Sequence, residues 1–341
     1  MTKNLPLLIT MGDPNGVGPE ISLKAYTKAA RKTKTPMAIV GDMGVLTKAA
    51  EMLKIGKRPV LADSPESVAE VSKRGIPVID GGVHFDEKVR PGKITEEAGR
   101  ASIGWVRSAT ALCLLKRARA IVTAPLCKEA VEKTVPDFQG HTEFIGEMCG
   151  DPHPVLCLVH GNWVVAHVST HVALRDACDL VKRDRIEKVA RLLNDFLKKY
   201  RHLKSPKIGV AGLNPHAGEG GLFGVEEINE IAPTVKALRK KKIQAEGPLP
   251  GDVVFPQLRA GTFDGVVAMY HDQGHVVTKT MLFDLGKKRK TCGVNTTLGL
   301  YVVRTSVDHG TGFDIAWKGI ADEHSLMDAI ELADVLTEKA K

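Results

Sequence analysis

Short apolar runs and longer amphipathic stretches alternate along nearly the whole chain. Runs at 7–10, 37–40, 120–123, 154–159, 163–168, 208–211 and 265–269 read as buried strands, each bounded by turn residues. Between them lie helical stretches at 20–30, about 43–53, 97–117 and 181–200. In the last of these Ile186, Val189, Leu192, Leu193, Phe196 and Leu197 recur at helical spacing. Regular βα alternation predicts an α/β fold with a mostly parallel, doubly wound sheet. The polar stretch 198–207 reads as a connection between elements. No internal repeat or low-complexity segment interrupts the pattern.

Three of the strand-like runs are followed by a histidine in a small, polar segment. These are His171 in Ser169-Thr170-His171, His216 in Asn214-Pro215-His216-Ala217-Gly218-Glu219, and His271 in Tyr270-His271-Asp272-Gln273-Gly274. In open α/β sheets ligands bind beyond the carboxyl ends of the strands, so three strand-end imidazoles are a metal-site expectation. Each histidine alone is more simply a strand cap; the shared context favours the site. Asp252 and Asp272 are candidates for orienting a metal-bound imidazole or for proton transfer, with helix capping as the plainer alternative. His167 lies four residues from His171, but in extended chain that is roughly 13 Å, too far to share an ion. His84, His153, His160, His202 and His324 have no supporting context.

Composition narrows the function class. With 341 residues, 43% apolar and 26% charged, the chain is long enough for two domains with real cores. No apolar stretch approaches a membrane span, and residues 5–11 are too short for a signal region. Six cysteines without CxxC spacing suggest reduced thiols and a cytoplasmic protein. The net charge of +8 raises the question of nucleic acid. Its basic runs, 239–242 and 287–290, lack interleaved aromatics, and only 5% of residues are aromatic. Attraction for anionic, phosphorylated metabolites suits the same charge better. HExxH is absent, which disfavours a metalloprotease.

Two glycine clusters suggest a nucleotide. The first is Gly12-Asp13-Pro14-Asn15-Gly16-Val17-Gly18-Pro19-Glu20, after a strand and before a helix. Its spacing is not GxGxxG, so a Rossmann site is not indicated, and a tight turn is the competing reading. The second is Asp308-His309-Gly310-Thr311-Gly312-Phe313-Asp314-Ile315-Ala316. Asp314 there could accept from a ribose diol and would repel a 2′-phosphate, favouring NAD over NADP.

Both clusters resemble the isocitrate and isopropylmalate dehydrogenase fold. Gly140-His141-Thr142-Glu143, the 214–221 stretch, Tyr270-His271-Asp272-Gln273-Gly274 and Val294-Asn295 through Arg304 to Thr311 narrow the likeness. Together they resemble the 4-hydroxythreonine-4-phosphate dehydrogenase (PdxA) family over about residues 7–322. The resemblance implies two α/β/α domains with mostly parallel sheets. Residues 1–133 and 316–341 would form the first, residues 134–315 the second, with the active site in the cleft between. It implies a homodimer whose interface shares the site, and His171, His216 and His271 as ligands of one divalent ion. Zn2+ is expected from the ligand type, with Mg2+, Mn2+ or Co2+ as alternatives. Substrate binding falls to His141, Thr142, Lys279, Asn295 and Arg304; Lys279 is also a catalytic candidate beside Asp252 and Asp272. NAD binding falls to Gly12, Gly16, Gly18, His309, Gly310, Thr311, Asp314 and Ile315.

The implied reaction is NAD-dependent oxidation of a secondary alcohol in a 4-phosphorylated hydroxy acid, followed by decarboxylation. The first expectation is 4-hydroxythreonine 4-phosphate. D-threonate or D-erythronate 4-phosphate, an aromatic dihydrodiol carboxylate, or a non-catalytic phosphate-binding role are the alternatives. Departures from the biosynthetic members bear on that choice. The segment between Lys279 and Asn295 is longer and carries Lys287–Lys290, His275 replaces an aliphatic residue, and Tyr301 replaces a proline. The Gly12-Asp13-Pro14 opening is similar to the branch acting on sugar-acid phosphates.

Overall fold

The computed structural model describes residues 5–86, 88–151, 153–282 and 293–338. Its elements run β1 (Leu7–Thr10), α1 (Gly18–Ala29), β2 (Met37–Val40), α2 (Met43–Met52), β3 (Pro59–Leu61), α3 (Val68–Val71), β4 (Ile76–Ile79), α4 (Glu96–Leu114), β5 (Ala120–Thr123), α5 (Lys128–Glu132) and α6 (His141–Met148). There follow β6 (Val155–His160), β7 (Trp163–His167), α7 (Leu174–Asp179), α8 (Arg183–Tyr200), β8 (Lys207–Ala211), α9 (Ala232–Lys240), β9 (Gln244–Leu249), α10 (Gly251–Arg259), β10 (Gly265–Ala268), α11 (His271–Leu282) and β11 (Val294–Leu298). The chain then adds β12 (Val303–Val307) and α12 (His324–Thr337).

These elements form two compact units, one of residues up to 153 together with those from 300 onward, the other of residues 154–299. Segments 134–153 and 300–315, expected with the second unit, therefore pack with the first. The physical reason is strand pairing. Arg304 in β12 aligns with Ile121 in β5, and α12 packs back on β12, β5 and α1.

In the first unit the strand order is β3-β4-β2-β1-β5-β12, every pair parallel. Leu7, Leu8, Ile9, Ile39, Ile121 and Val122 are fully buried, which is why these strands read as continuous apolar runs. In the second unit the order is β11-β6-β7-β10-β8-β9. The pairs from β7 to β9 are parallel, while β11–β6 and β6–β7 are antiparallel. The fold is α/β with mostly parallel strands. Helix α8 buries Ile186, Val189, Leu193, Phe196 and Leu197 on one face against β7, β10 and β11. Among the described residues no helix is long and apolar enough to cross a membrane. The basic run Lys287–Lys290 and Cys292 lie outside the described residues.

Candidate active site

Strands β7, β10 and β8 are consecutive parallel neighbours, so the three histidine segments leave the sheet along one edge. His171 follows β7, His271 opens α11 after β10, and His216 follows β8. Gln273 ties two of these exits together. Its amide donates to the Gly212 carbonyl at 2.8 Å, and its oxygen accepts from Met269 N–H at 2.7 Å.

The rings of His171 and His271 approach to 5.7 Å between centroids. Asp272 accepts from His271 Nδ1 at 2.6 Å, the bond expected of a carboxylate that orients an imidazole. That bond also holds the exposed Asp272 carboxyl below its usual range. Asp252 lies exposed in the first turn of α10, where an acidic side chain suits the helix dipole. Among the described residues, no three His, Cys, Asp or Glu side chains gather closely enough to hold a metal ion.

Two histidines without a sequence-based role join this edge. His275 stacks on His271 at 3.7 Å and 10°, with its Nδ1 3.1 Å from the His271 carbonyl oxygen. His167, fully buried, lies 4.9 Å from His275, its Nδ1 facing the Leu156 carbonyl at 3.2 Å. A side chain at Gly274 would strike His167 Nε2. Burial holds both imidazoles low, His275 at about 4 and His167 at about 3, so both are neutral near pH 7. The helical period of α11 (His271 and His275, four apart) could have revealed the first pair. Contact with His167 depends on β7 lying beside β10.

His216 stands apart from that pair, at the start of a run of left-handed residues. φ is 52° at His216, 52° at Ala217, 81° at Gly218, 42° at Glu219, 66° at Gly220 and 102° at Gly221. For a residue bearing a Cβ this conformation costs about 1–2 kcal/mol, so His216, Ala217 and Glu219 are all held against a local preference.

The first unit buries the guanidinium of Arg304. This side chain is 3% exposed, donating from its Nη atoms to Thr123 Oγ1 at 3.0 Å and Thr142 Oγ1 at 3.3 Å. Burial lowers its pKa to about 10, against the charge of Glu143, so the guanidinium stays cationic at neutral pH. His141 opens α6, and its Nε2 is buried with no hydrogen-bond partner among the described residues. Burial, then the charges of Arg304 and Lys128, hold that imidazole well below its ordinary pKa and leave it neutral. A buried cation fixed by hydroxyls beside a neutral acceptor or donor is suited to a carboxylate or phosphate oxygen. Lys279 and Asn295 belong to the other unit, in the last turn of α11 and in β11.

The two glycine clusters meet in the first unit. Val17 N–H donates to Thr311 O at 2.9 Å, and Trp317 Nε1 to Pro14 O at 2.9 Å. Asn15 fastens the same turn to the segment before α4. It accepts from Arg90 N–H at 2.8 Å and donates to Lys93 O at 3.0 Å. The glycines of the first cluster are explained by packing rather than by ligand approach. Gly12 has φ +73°, a Cβ there would strike Pro125 O, one at Gly18 would strike Met11 O, and one at Gly16 would sit 2.8 Å from Thr311 O. Gly310 has open space where its Cβ would be, and His309 and Asp314 are exposed. The second cluster is therefore open at Gly310, while the first braces it.

Comparison with known proteins follows the same lines. The family described as "Pyridoxal phosphate biosynthetic protein PdxA" matches residues 32–333. A D-threonate 4-phosphate dehydrogenase from Cupriavidus necator is 39% identical, covering 100% of both chains. A 4-hydroxythreonine-4-phosphate dehydrogenase from Desulfosudis oleivorans is 41% identical over 96% of this chain and 95% of its own. The crystal structure of 4-hydroxythreonine-4-phosphate dehydrogenase from Klebsiella pneumoniae is 38% identical. It superposes with a TM-score of 0.80 over 98% of this chain and 100% of that one. Agreement of motif order, fold and full-length identity leads to one conclusion: the chain belongs to the PdxA family.

Proposed function

We propose that this chain is a dehydrogenase that oxidises the secondary alcohol of a 4-phosphorylated four-carbon hydroxy acid, with loss of CO2 from the product. The Arg304 cradle carries this reading, because a buried guanidinium braced by Thr123 and Thr142 beside neutral His141 suits one anionic end of such a substrate. The leading substrate is 4-hydroxythreonine 4-phosphate. D-threonate 4-phosphate is a second reading, favoured by the full-length relative from Cupriavidus necator; D-erythronate 4-phosphate shares its chemistry.

His171, His216 and His271 would hold the metal, Zn2+ by ligand type, and NAD would lie at the second glycine cluster. A bound divalent ion would supply Lewis-acid stabilisation at the alcohol oxygen, and NAD would accept the hydride. The donor set fits in kind. Asp272 at His271 Nδ1 leaves Nε2 as the ligating atom, and His171 is the neighbouring imidazole. Among the described residues of one chain His216 is not grouped with His171 and His271; in this reading a second copy supplies the third ligand and the working unit is a homodimer. Exposed apolar residues follow all three histidines: Val172 and Leu174, Leu222 and Phe223, and Val276. Such residues beside a site are suited to burial against a partner. Asp272 orients His271, while Lys279 is assigned to the substrate's anionic groups or to proton transfer.

The test is NADH formation with the three phosphorylated acids, each with and without chelator. Turnover on one of them, abolished by chelator and restored by added Zn2+ or Co2+, is the expected result. Absence of NADH with every phosphorylated acid would sink the substrate class, and chelator-insensitive turnover would sink the metal site.

A further inference from the structure

The left-handed run that begins at His216 has a specific restraint. Glu227, 3% exposed, opens a π-helical turn, Glu227–Ile231. Its Oε1 accepts from the backbone N–H groups of Leu213 at 2.7 Å and Asn214 at 2.8 Å. Its Oε2 accepts from Asn214 Nδ2 at 2.9 Å, and Glu226 accepts from the same amide at 2.7 Å. The carboxylate also fills the concave side of the run. A Cβ on Gly218 would lie 2.7 Å from Oε2, and one on Gly212 would lie 3.2 Å from Oε1. One buried group thus contacts the entry to the turn, Gly212 to Asn214, and its middle at Gly218.

Among the described residues Glu227 takes part in no ion pair; its charge is met by amide donors alone. Those donors satisfy the buried side chain and fix it against the turn. The strained backbone beside a candidate ligand needs such a restraint, because strain persists only where the surroundings over-determine it. We infer that Glu227 is a positioning residue that holds the 216–221 turn in its left-handed form and thereby sets where the His216 imidazole is presented. The inference rests on the reading of His216 as a metal ligand. The competing account is simple loop stabilisation, which would make Glu227 matter to folding and not to the ligand.

Three variants of the full chain separate these accounts: Glu227→Ala, Glu227→Gln and His216→Ala. Each is titrated with Co2+ alone, following the visible spectrum. Hydrogen exchange at the Leu213 and Asn214 amides and the melting temperature are measured alongside. Glu227→Ala is expected to lose protection at those two amides and to weaken Co2+ binding by about 10–100-fold, towards His216→Ala. Its melting temperature should fall by only a few degrees. Glu227→Gln should recover most of both signals, since its amide oxygen can still accept from the two backbone N–H groups. Unchanged Co2+ affinity in Glu227→Ala, with wild type binding tightly and His216→Ala weakly, would overturn the inference alone. So would a Glu227→Gln variant no better than Glu227→Ala in a folded protein. Equal Co2+ binding by wild type and His216→Ala would overturn the metal reading itself, and with it the role given to Glu227.

Discussion

Arg304 is the buried cation on which the proposed substrate site of the first unit rests. Its guanidinium is too buried to be an ordinary surface charge, and the Thr123 and Thr142 hydroxyls accept hydrogen bonds from it. Arg304→Ala should therefore raise KM far more than it lowers the melting temperature. Loss of charge-assisted bonds to a substrate anion costs about 2–3 kcal/mol, a fall in kcat/KM on the order of 100-fold. A kinetic comparison with wild type checks this, and an unchanged KM would remove Arg304 from the substrate site. The residue itself was legible in the sequence only through family resemblance. A lone arginine in Val303-Arg304-Thr305-Ser306-Val307 gives no local sign of burial. Its depth follows from β12 joining the sheet beside β5.

At the scale of elements, the β1–α1 turn is a brace whose stability depends on pH. Asp13 is wholly buried, with Oδ1 accepting from Asn15 N–H at 2.8 Å and Oδ2 without a partner among the described residues. Burial raises its pKa from 3.8 to about 6, against the hydrogen bonds from Asn15 and Gly16. The native state then binds more protons than the unfolded chain between these values. This contribution is fully present below about pH 4 and is lost as pH rises through 6. It amounts to about 3 kcal/mol. Asp13→Asn keeps the acceptor to Asn15 and removes the titration. Relative to wild type, it should melt higher at pH 7 than at pH 4. Denaturant unfolding at the two pH values measures this, and an identical wild-type-to-variant difference at both would contradict it. The glycines of the same turn were visible as a motif. Their packing against Pro125, Met11 and Thr311 was not, because those neighbours come from other segments of the first unit and from α1's own approach.

At the scale of the whole molecule, the proposed homodimer makes a separate prediction. Leu222 and Phe223, 73% and 47% exposed, follow the turn that carries His216. Replacing both with aspartate should leave a folded monomer in sedimentation, since exposed side chains contribute little to the core. Chelator-sensitive turnover should fall with dimerisation, because the third imidazole is then missing. A folded, fully active monomer would show that one chain suffices.

The amino-acid sequence by itself determined the α/β class, most strands and long helices, and the three histidines at strand ends. Those features are written in local period and in residue type, and both survive without knowledge of neighbours. Polar strands such as β9 and β12, which lack an apolar run, escaped that reading. Tertiary structure alone decided that β10 lies between β7 and β8, and so which histidines meet. It placed His167 and His275 against His271 and left His216 on a restrained left-handed turn. Strand order and ring contacts arise from pairing between distant segments, and no local pattern of hydrophobic and polar residues encodes them.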